Sequence, residues 1–202
     1  MNLQLGAMHA ASFKEDPKHL LFVLARYQFV ARMLRGYDRV LEIGCGDGTG
    51  ACLVVQNVGE LVGIDREPQS DYLGEFVQHD ILQDGLIRGG HFDAAFMLDV
   101  LEHIEVEDEH VALANACDNL KRDSVMIVGM PSLESQTHAS ELSRRYHVNC
   151  KTESGLRETM RQHFRHVFCF AMQDATLHVG FPAMAHYRLA LCTSKRTSTF
   201  AR

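Results

Sequence analysis

Apolar and polar positions along the chain follow two periods, and the switches between them mark out the elements. From Asp16-Pro17 onward, Leu20, Leu21, Val23, Leu24, Tyr27, Val30, Ala31 and Leu34 recur at helical spacing until Gly36. An aspartate followed by proline is a helix start, with the acid as cap and the ring at the first helical position. Short apolar runs of strand type follow at 39–43, 61–64, 75–77, 92–98 and 124–129, each bounded by turn residues. Between them, 49–58 and 106–120 carry helical spacing, the second with acidic residues in its first turn, where the helix dipole favours them. Strands alternating with helices predict a parallel, doubly wound sheet.

Beyond Pro131 the periodicity lapses over 132–151, a stretch rich in Ser, Thr, His, Arg and Glu. A compact domain rarely keeps so long a connection unless it carries function or hides a helix. Helical spacing returns at 152–164, with Leu156, Met160 and Phe164 on one face, and two final strands are predicted at 167–172 and 187–192. Two strands with no helix between them imply an antiparallel pair. The reading is therefore a single α/β domain over 1–202: a doubly wound, seven-stranded, mostly parallel sheet with an antiparallel C-terminal strand pair. Residues 1–37 form a helical cap and 131–151 a lid over a substrate.

Charge narrows the partners. A formal net charge of -6 and a pI near 6.0 give no general attraction to nucleic acid or to an anionic membrane. No stretch approaches the ~20 apolar residues of a membrane span, and the N-terminus lacks a basic start, so a soluble, cytoplasmic protein is expected. Cysteines 45, 52, 117, 150, 169 and 192 show no clustered spacing, which favours reduced, buried thiols over disulfides or zinc.

The candidate chemistry starts at Val40-Leu41-Glu42-Ile43-Gly44-Cys45-Gly46-Asp47-Gly48-Thr49-Gly50, a strand running into a glycine-rich turn and then a helical pattern. Such a turn lets a ligand approach bare backbone at a helix N-terminus. Its spacing does not fit the GxGxxG of dinucleotide enzymes, which weakens a dehydrogenase reading. Asp65 ends the second strand, where a carboxylate can hold a ribose diol; His79-Asp80-Ile81 follows the third, and Leu98-Asp99 ends the fourth. Polar or small residues at four successive strand ends are the pattern of a ligand crevice at a topological switch point.

In LEIGCGDGTG (41–50), GID (63–65), HDI (79–81), FDAAFMLDVLEHI (92–104) and VGMPS (128–132), the chain resembles the class I S-adenosylmethionine (SAM)-dependent methyltransferases, which implies a Rossmann-like fold. The resemblance implies a cofactor site of Glu42, Gly44, Cys45, Gly46, Asp65, Arg66, His79, Asp80, Ile81, Leu98, Asp99 and His103. Within it, the glycine turn lines the methionine end, Asp65 holds the ribose, Asp80 and Ile81 read the adenine, and Leu98 and Asp99 flank the amino-acid end.

Asp99, Glu102 and His103 share one face of a helical turn and look like the EVxEH element that binds a divalent metal in ubiquinone-pathway and small-RNA methyltransferases, with Asp99 in place of its first Glu. His138 or His147 could complete that site, and oxygen-rich ligation suggests magnesium or manganese over zinc. The alternative is that this stretch forms a helix wall beneath SAM. In the lid, His138, Tyr146 and His147 are candidate catalytic bases, His147 foremost. Arg144, Arg145, Lys151, Arg157, Arg161 and Arg165 make a basic cluster suited to an anionic acceptor, phosphate- or nucleotide-linked, unless 157, 161 and 165 are simply a solvated helix face.

Residues 147–160 and 180–192 resemble methyltransferases of surface-polysaccharide biosynthesis, including those acting on phosphoramidate groups, with His178, Phe181, His186 and Tyr187 as pocket candidates. The expectation is methyl transfer to a small polar, anionic acceptor through oxygen. The alternatives are N-methylation of a small molecule, or a SAM-binding scaffold without turnover.

Overall fold

The five apolar runs of the first two thirds become strands β1 (Arg39–Ile43), β2 (Glu60–Asp65), β3 (Glu75–Gln78), β4 (Phe92–Leu98) and β5 (Leu120–Pro131) in a computed structural model, which describes residues 5–69, 71–178 and 181–196. They pair in parallel in the order β3-β2-β1-β4-β5. The chain moves outward from β1 through β2 to β3, then returns to start again at β4, so the switch point lies between the carboxyl ends of β1 and β4. Nearly every residue of β1 and β4 is buried because helices cover both faces, which is why these strands read as unbroken apolar runs.

The C-terminal pair is antiparallel, with an added edge strand. β6 (Phe164–Gln173) turns into the short β7 (Thr176–His178), and β8 (Tyr187–Lys195) inserts between β5 and β6, antiparallel to both. The described sheet thus has eight strands where seven were expected. The extra one is a three-residue edge strand, too short to show a period.

Helices α1 (Ala7–Glu15) and α2 (Pro17–Met33) form the N-terminal cap. The Asp16 side chain accepts from the His19 amide and starts α2, as its sequence implied, while α1 has no pronounced apolar face and left no periodic signal. The helix expected over 49–58 contracts to α3 (Ala51–Val54) followed by turns. That expected over 106–120 begins later, as α4 (Glu109–Asp118), after a single 3-10 turn at Leu101–His103. The 132–151 stretch is not irregular: it holds a 3-10 turn (Glu134–His138) and α5 (Glu141–Tyr146), capped by Ser140. In α6 (Glu153–His163) and the residue after it, Leu156, Met160 and Phe164 are all fully buried, as the spacing predicted. α4 and α6 pack on one face of the sheet and α2 and α3 on the other. All six cysteines are free.

Candidate functional site

At the end of β1 the backbone bends sharply. Gly44 and Gly46 have φ of 71° and 52°, and a Cβ on Gly44 would stand 2.3 Å from Val100 Cγ2, so only glycine fits there. The amides of Gly44 and Cys45 both donate to the Ile64 carbonyl, and that of Gly46 donates to Asp65 Oδ2 at 2.9 Å. Strand ends β1 and β2 are thereby locked together, with the Gly46 face open: a Cβ there would meet nothing within 4 Å. Asp47 anchors the cap, accepting from the Gly6 amide and lying 2.8 Å from His9 Nδ1; these bonds, with that from Thr49, hold its carboxyl well below the usual range against the opposing effect of burial.

Glu42 lies beneath this turn and does not face a ligand. It is buried, with Tyr27 Oη donating to Oε1 at 2.8 Å and Tyr72 Oη to Oε2 at 2.6 Å. Both oxygens are spent on the fold, which corrects its expected contact with the cofactor. Burial pushes its pKa up to about 7, against the two phenol hydrogen bonds that lower it.

The β4 end faces the same turn. Asp99 sits in the left-handed region at φ 55°, and its amide donates to the Gly129 carbonyl. Both its carboxylate oxygens lie 2.8 Å from Nη1 of Arg26, and that guanidinium stacks 3.8 Å over the ring of Tyr187. Asp99 is therefore not in the expected metal set; a bound cation would have to compete with the arginine that already neutralises it.

A different group of three converges instead. Ligand atoms of Glu102, His103 and His147 lie within 4.8 Å of one another. His103 Nδ1 donates to the Tyr146 carbonyl at 3.0 Å, and His147 Nδ1 lies 3.0 Å from Gln136 Oε1, so Nδ1 of each ring is taken and Nε2 has no partner among the described residues. Glu102 is 1% exposed, yet neither carboxylate oxygen has a partner among the described residues. Burial first, and Asp99 second, push its pKa well above the ordinary value. An unpartnered buried carboxyl beside two free imidazole nitrogens fits a divalent metal, which would supply the missing partner. His147 is shifted down by burial and by His103, so it is neutral at pH 7.

The segment that brings His147 here is tightly held. The amides of Val148 and Asn149 donate to the Glu102 carbonyl, and Asn149 Nδ2 and Lys151 Nζ each lie 2.8 Å from Glu109 Oε2, while Thr159 donates to Oε1. Buried Arg188, from β8, reaches Glu134 and the Pro182 carbonyl and ties the start of the 132–151 segment to the sheet.

Asp80, Ile81 and His79 lie at the β3 end as expected: the His79 amide bonds the Asp65 carbonyl, and Ile81 is buried. Leu98 is buried beside Gly129. Arg66 does not join them; its side chain is exposed and lies 3.9 Å from Glu67. His138 is exposed in the 3-10 turn at Glu134–His138 and takes no part in the trio, and Tyr146 contributes its carbonyl while its ring is exposed under Arg145. Tyr187 is buried beneath Arg26, so it supports the cleft instead of lining a pocket. His186 packs on Phe22, and Phe181 is exposed, while the His178 side chain and Gly180 lie outside the described residues. Arg157 is spent on Glu153, and Arg165 belongs to β6 instead of a helix face; Arg144 and Arg145, in the last turn of α5 just before His147, are exposed.

Sequence reasoning missed Arg26, Tyr72, Glu109 and Asn149. Arg26 had left a signal, an arginine inside the apolar stripe Val23, Tyr27, Val30 of α2. A cavity of about 390 Å³ between Arg35, Asp38, Asp93, Lys121 and Ser124 lies at the opposite edge of the strands and shares no residue with the cleft.

Comparison with known proteins agrees with this fold. A family model described as a methyltransferase domain matches residues 12–169. No curated protein matches the chain. Among solved structures, it is similar to N-methyltransferase NodS from Bradyrhizobium japonicum WM9 in complex with S-adenosylhomocysteine (SAH), at 17% identity and a TM-score of 0.60, over 88% of this chain and 86% of that one. A SAM-dependent methyltransferase from Archaeoglobus fulgidus is 17% identical with a TM-score of 0.66, over 94% and 99% of the two chains. The plantazolicin methyltransferase BpumL in complex with SAH is 12% identical with a TM-score of 0.66, over 93% and 88%.

Proposed function

Because the chain belongs to the methyltransferase-domain family and its cofactor is SAM, we propose that it transfers the SAM methyl group to an oxygen of a small, anionic acceptor bound between the 99–103 turn and the lid at 131–151. The observation that carries this reading is the Glu102–His103–His147 trio, in which one ligand atom of each residue lies within 4.8 Å of the others, just past Asp99. A hydroxyl is a poor nucleophile until something loosens its proton. A divalent ion held by Glu102, His103 and His147 would supply that loosening by polarising the acceptor oxygen. One carboxylate and two imidazoles favour manganese, iron or zinc over the magnesium expected when Asp99 was counted among the ligands. Without an ion, His147 Nε2 has the lone pair to take the proton itself. Exposed Arg144 and Arg145 supply positive charge at the rim, which supports a phosphate-bearing acceptor, sugar-linked precursors included. Transfer to nitrogen is the second reading, favoured by the similarity to NodS, an N-methyltransferase.

The test is a radiolabelled-methyl transfer assay over phosphorylated polyols, sugars and small amines, with metal content measured beforehand. Labelling of a phosphorylated hydroxyl compound, lost on chelation and in Glu102→Gln, is the expected outcome. Labelling of amines alone, or full activity in metal-stripped protein, would discard the oxygen or metal part respectively. His147→Ala should lower turnover about 100-fold or more while leaving SAH affinity within about twofold; a parallel loss of SAH binding would make it a structural residue.

A further inference from the structure

The rings of His103 and His147 stand edge to face, 5.1 Å apart, beside the Glu102 carboxyl. A neutral imidazole carries one N–H, and the partner of one nitrogen settles whether the other keeps a lone pair. For His103 the backbone decides. Its Nδ1 faces the Tyr146 carbonyl, a group that only accepts, so the proton sits on Nδ1. His147 has a side chain in that place: Gln136 Oε1, 3.0 Å from its Nδ1. An amide can turn over and present its NH2 instead, which would move the proton of His147 to Nε2 and leave the ring with no lone pair to offer the trio.

Ser132 prevents this. Gln136 Nε2 lies 3.2 Å from the Ser132 carbonyl and 3.4 Å from Ser135 Oγ. Turned over, the amide would set its oxygen against that carbonyl, acceptor facing acceptor. Ser135 offers no relief, because its hydroxyl already donates to the Ser132 and His186 carbonyls, at 2.8 and 3.2 Å. Ser132 is itself fixed: it is fully buried, its amide donates to the His186 carbonyl, and its hydroxyl donates to the Ala185 carbonyl at 2.7 Å. A polar chain thus runs from the segment before β8, through Ser132 and half-buried Gln136, to His147, with each donor facing an acceptor. We propose that Gln136 is a positioning residue, which holds His147 in the Nδ1–H form and so leaves its Nε2 lone pair for a divalent ion or for the acceptor's proton. The proposal rests on the role given to His147 above.

Nitrogen-15 NMR of the metal-free protein at pH 8, with the histidine signals assigned by substitution, reads the tautomers independently of activity. In wild-type protein both His103 and His147 should be protonated on Nδ1. Gln136→Met keeps the bulk but removes the acceptor, and should shift His147 to Nε2–H while His103, held by backbone, stays as it was. Gln136→Glu, which still accepts, should restore the Nδ1–H form. Zinc affinity, measured by competition with a chelating dye, should fall about 10- to 100-fold in Gln136→Met, the range for losing a ligand's orienting partner, and recover in Gln136→Glu. Methyl transfer should follow the same order, with SAH affinity unchanged within about twofold. His147 found as Nε2–H in wild-type protein, or a tautomer that does not move in Gln136→Met, would overturn the proposal; a lower melting temperature with an unmoved tautomer would make Gln136 a packing residue only. A tautomer that moves while zinc affinity and turnover both hold would overturn it as well. If Gln136→Met does not fold, the wild-type tautomer and Gln136→Asn, whose amide falls one methylene short of His147, decide. Zinc uptake by no form of the protein would fail the metal reading of the trio, and the proposal would then stand or fall on the tautomer and on turnover.

Discussion

A carboxyl group with no water around it resists losing its proton, and Glu42 and Glu102 are both in that position. They differ in company. Glu42 has a tyrosine hydroxyl on each oxygen, and Glu102 has none, which is the difference between a residue that braces a turn and one that awaits a ligand. For Glu42 the consequence is a pH dependence of stability. Its folded pKa of about 7 lies above the ordinary 4.5, so as pH rises the unfolded chain gives up this proton before the folded chain does. Stability should therefore fall between pH 4.5 and about 7 and stay lower above, by on the order of 3 kcal/mol at most. Urea melts at pH 5 and pH 8 should show that Glu42→Gln flattens this slope; a variant as pH-dependent as the parent would mean that another group is responsible.

At the level of elements, the 132–151 segment is held as a strut. Asn149 joins three of them: its amide bonds the 3-10 turn at Glu102, its side chain bonds Glu109 at the start of α4, and Glu109 in turn bonds Thr159 on α6. Removing the side-chain amide leaves half-buried Glu109 one donor short, with Lys151 and Thr159 still in place. Asn149→Ala should cost about 1–3 kcal/mol of stability and lower turnover by loosening His147 two residues away. Thermal melts and steady-state kinetics read the two effects separately. A variant that loses stability but keeps full turnover would show that the strut does not position His147. None of this could be read from 132–151, because short capped helices and side-chain networks leave no periodic pattern. The long helix α2 and the strands β1, β2 and β4 were legible because burial imposed a period on every residue they contain.

For the whole molecule, the order of strands makes the last one central. β8 lies between β5 and β6, and Tyr187, Leu189, Ala190 and Cys192 on it are fully buried. A chain ending at residue 186 should lose cooperative unfolding altogether, since β6 and β7 would be cut off from the rest of the sheet and Arg26 would lose its support on Tyr187. Near-ultraviolet circular dichroism and a thermal melt would check this, and a sharp transition in the truncated chain would count against it. The amino-acid sequence by itself determined the parallel core, the glycine turn, the acidic residue that ends β2 and thus the cofactor, because these depend on local backbone geometry and on residues adjacent in the chain. Only the tertiary structure decided which of several plausible side chains meet. It withdrew Asp99 from the metal set by giving it Arg26, chose His147 over His138, and turned Glu42 away from the ligand, because each outcome depends on a partner contributed by a distant element.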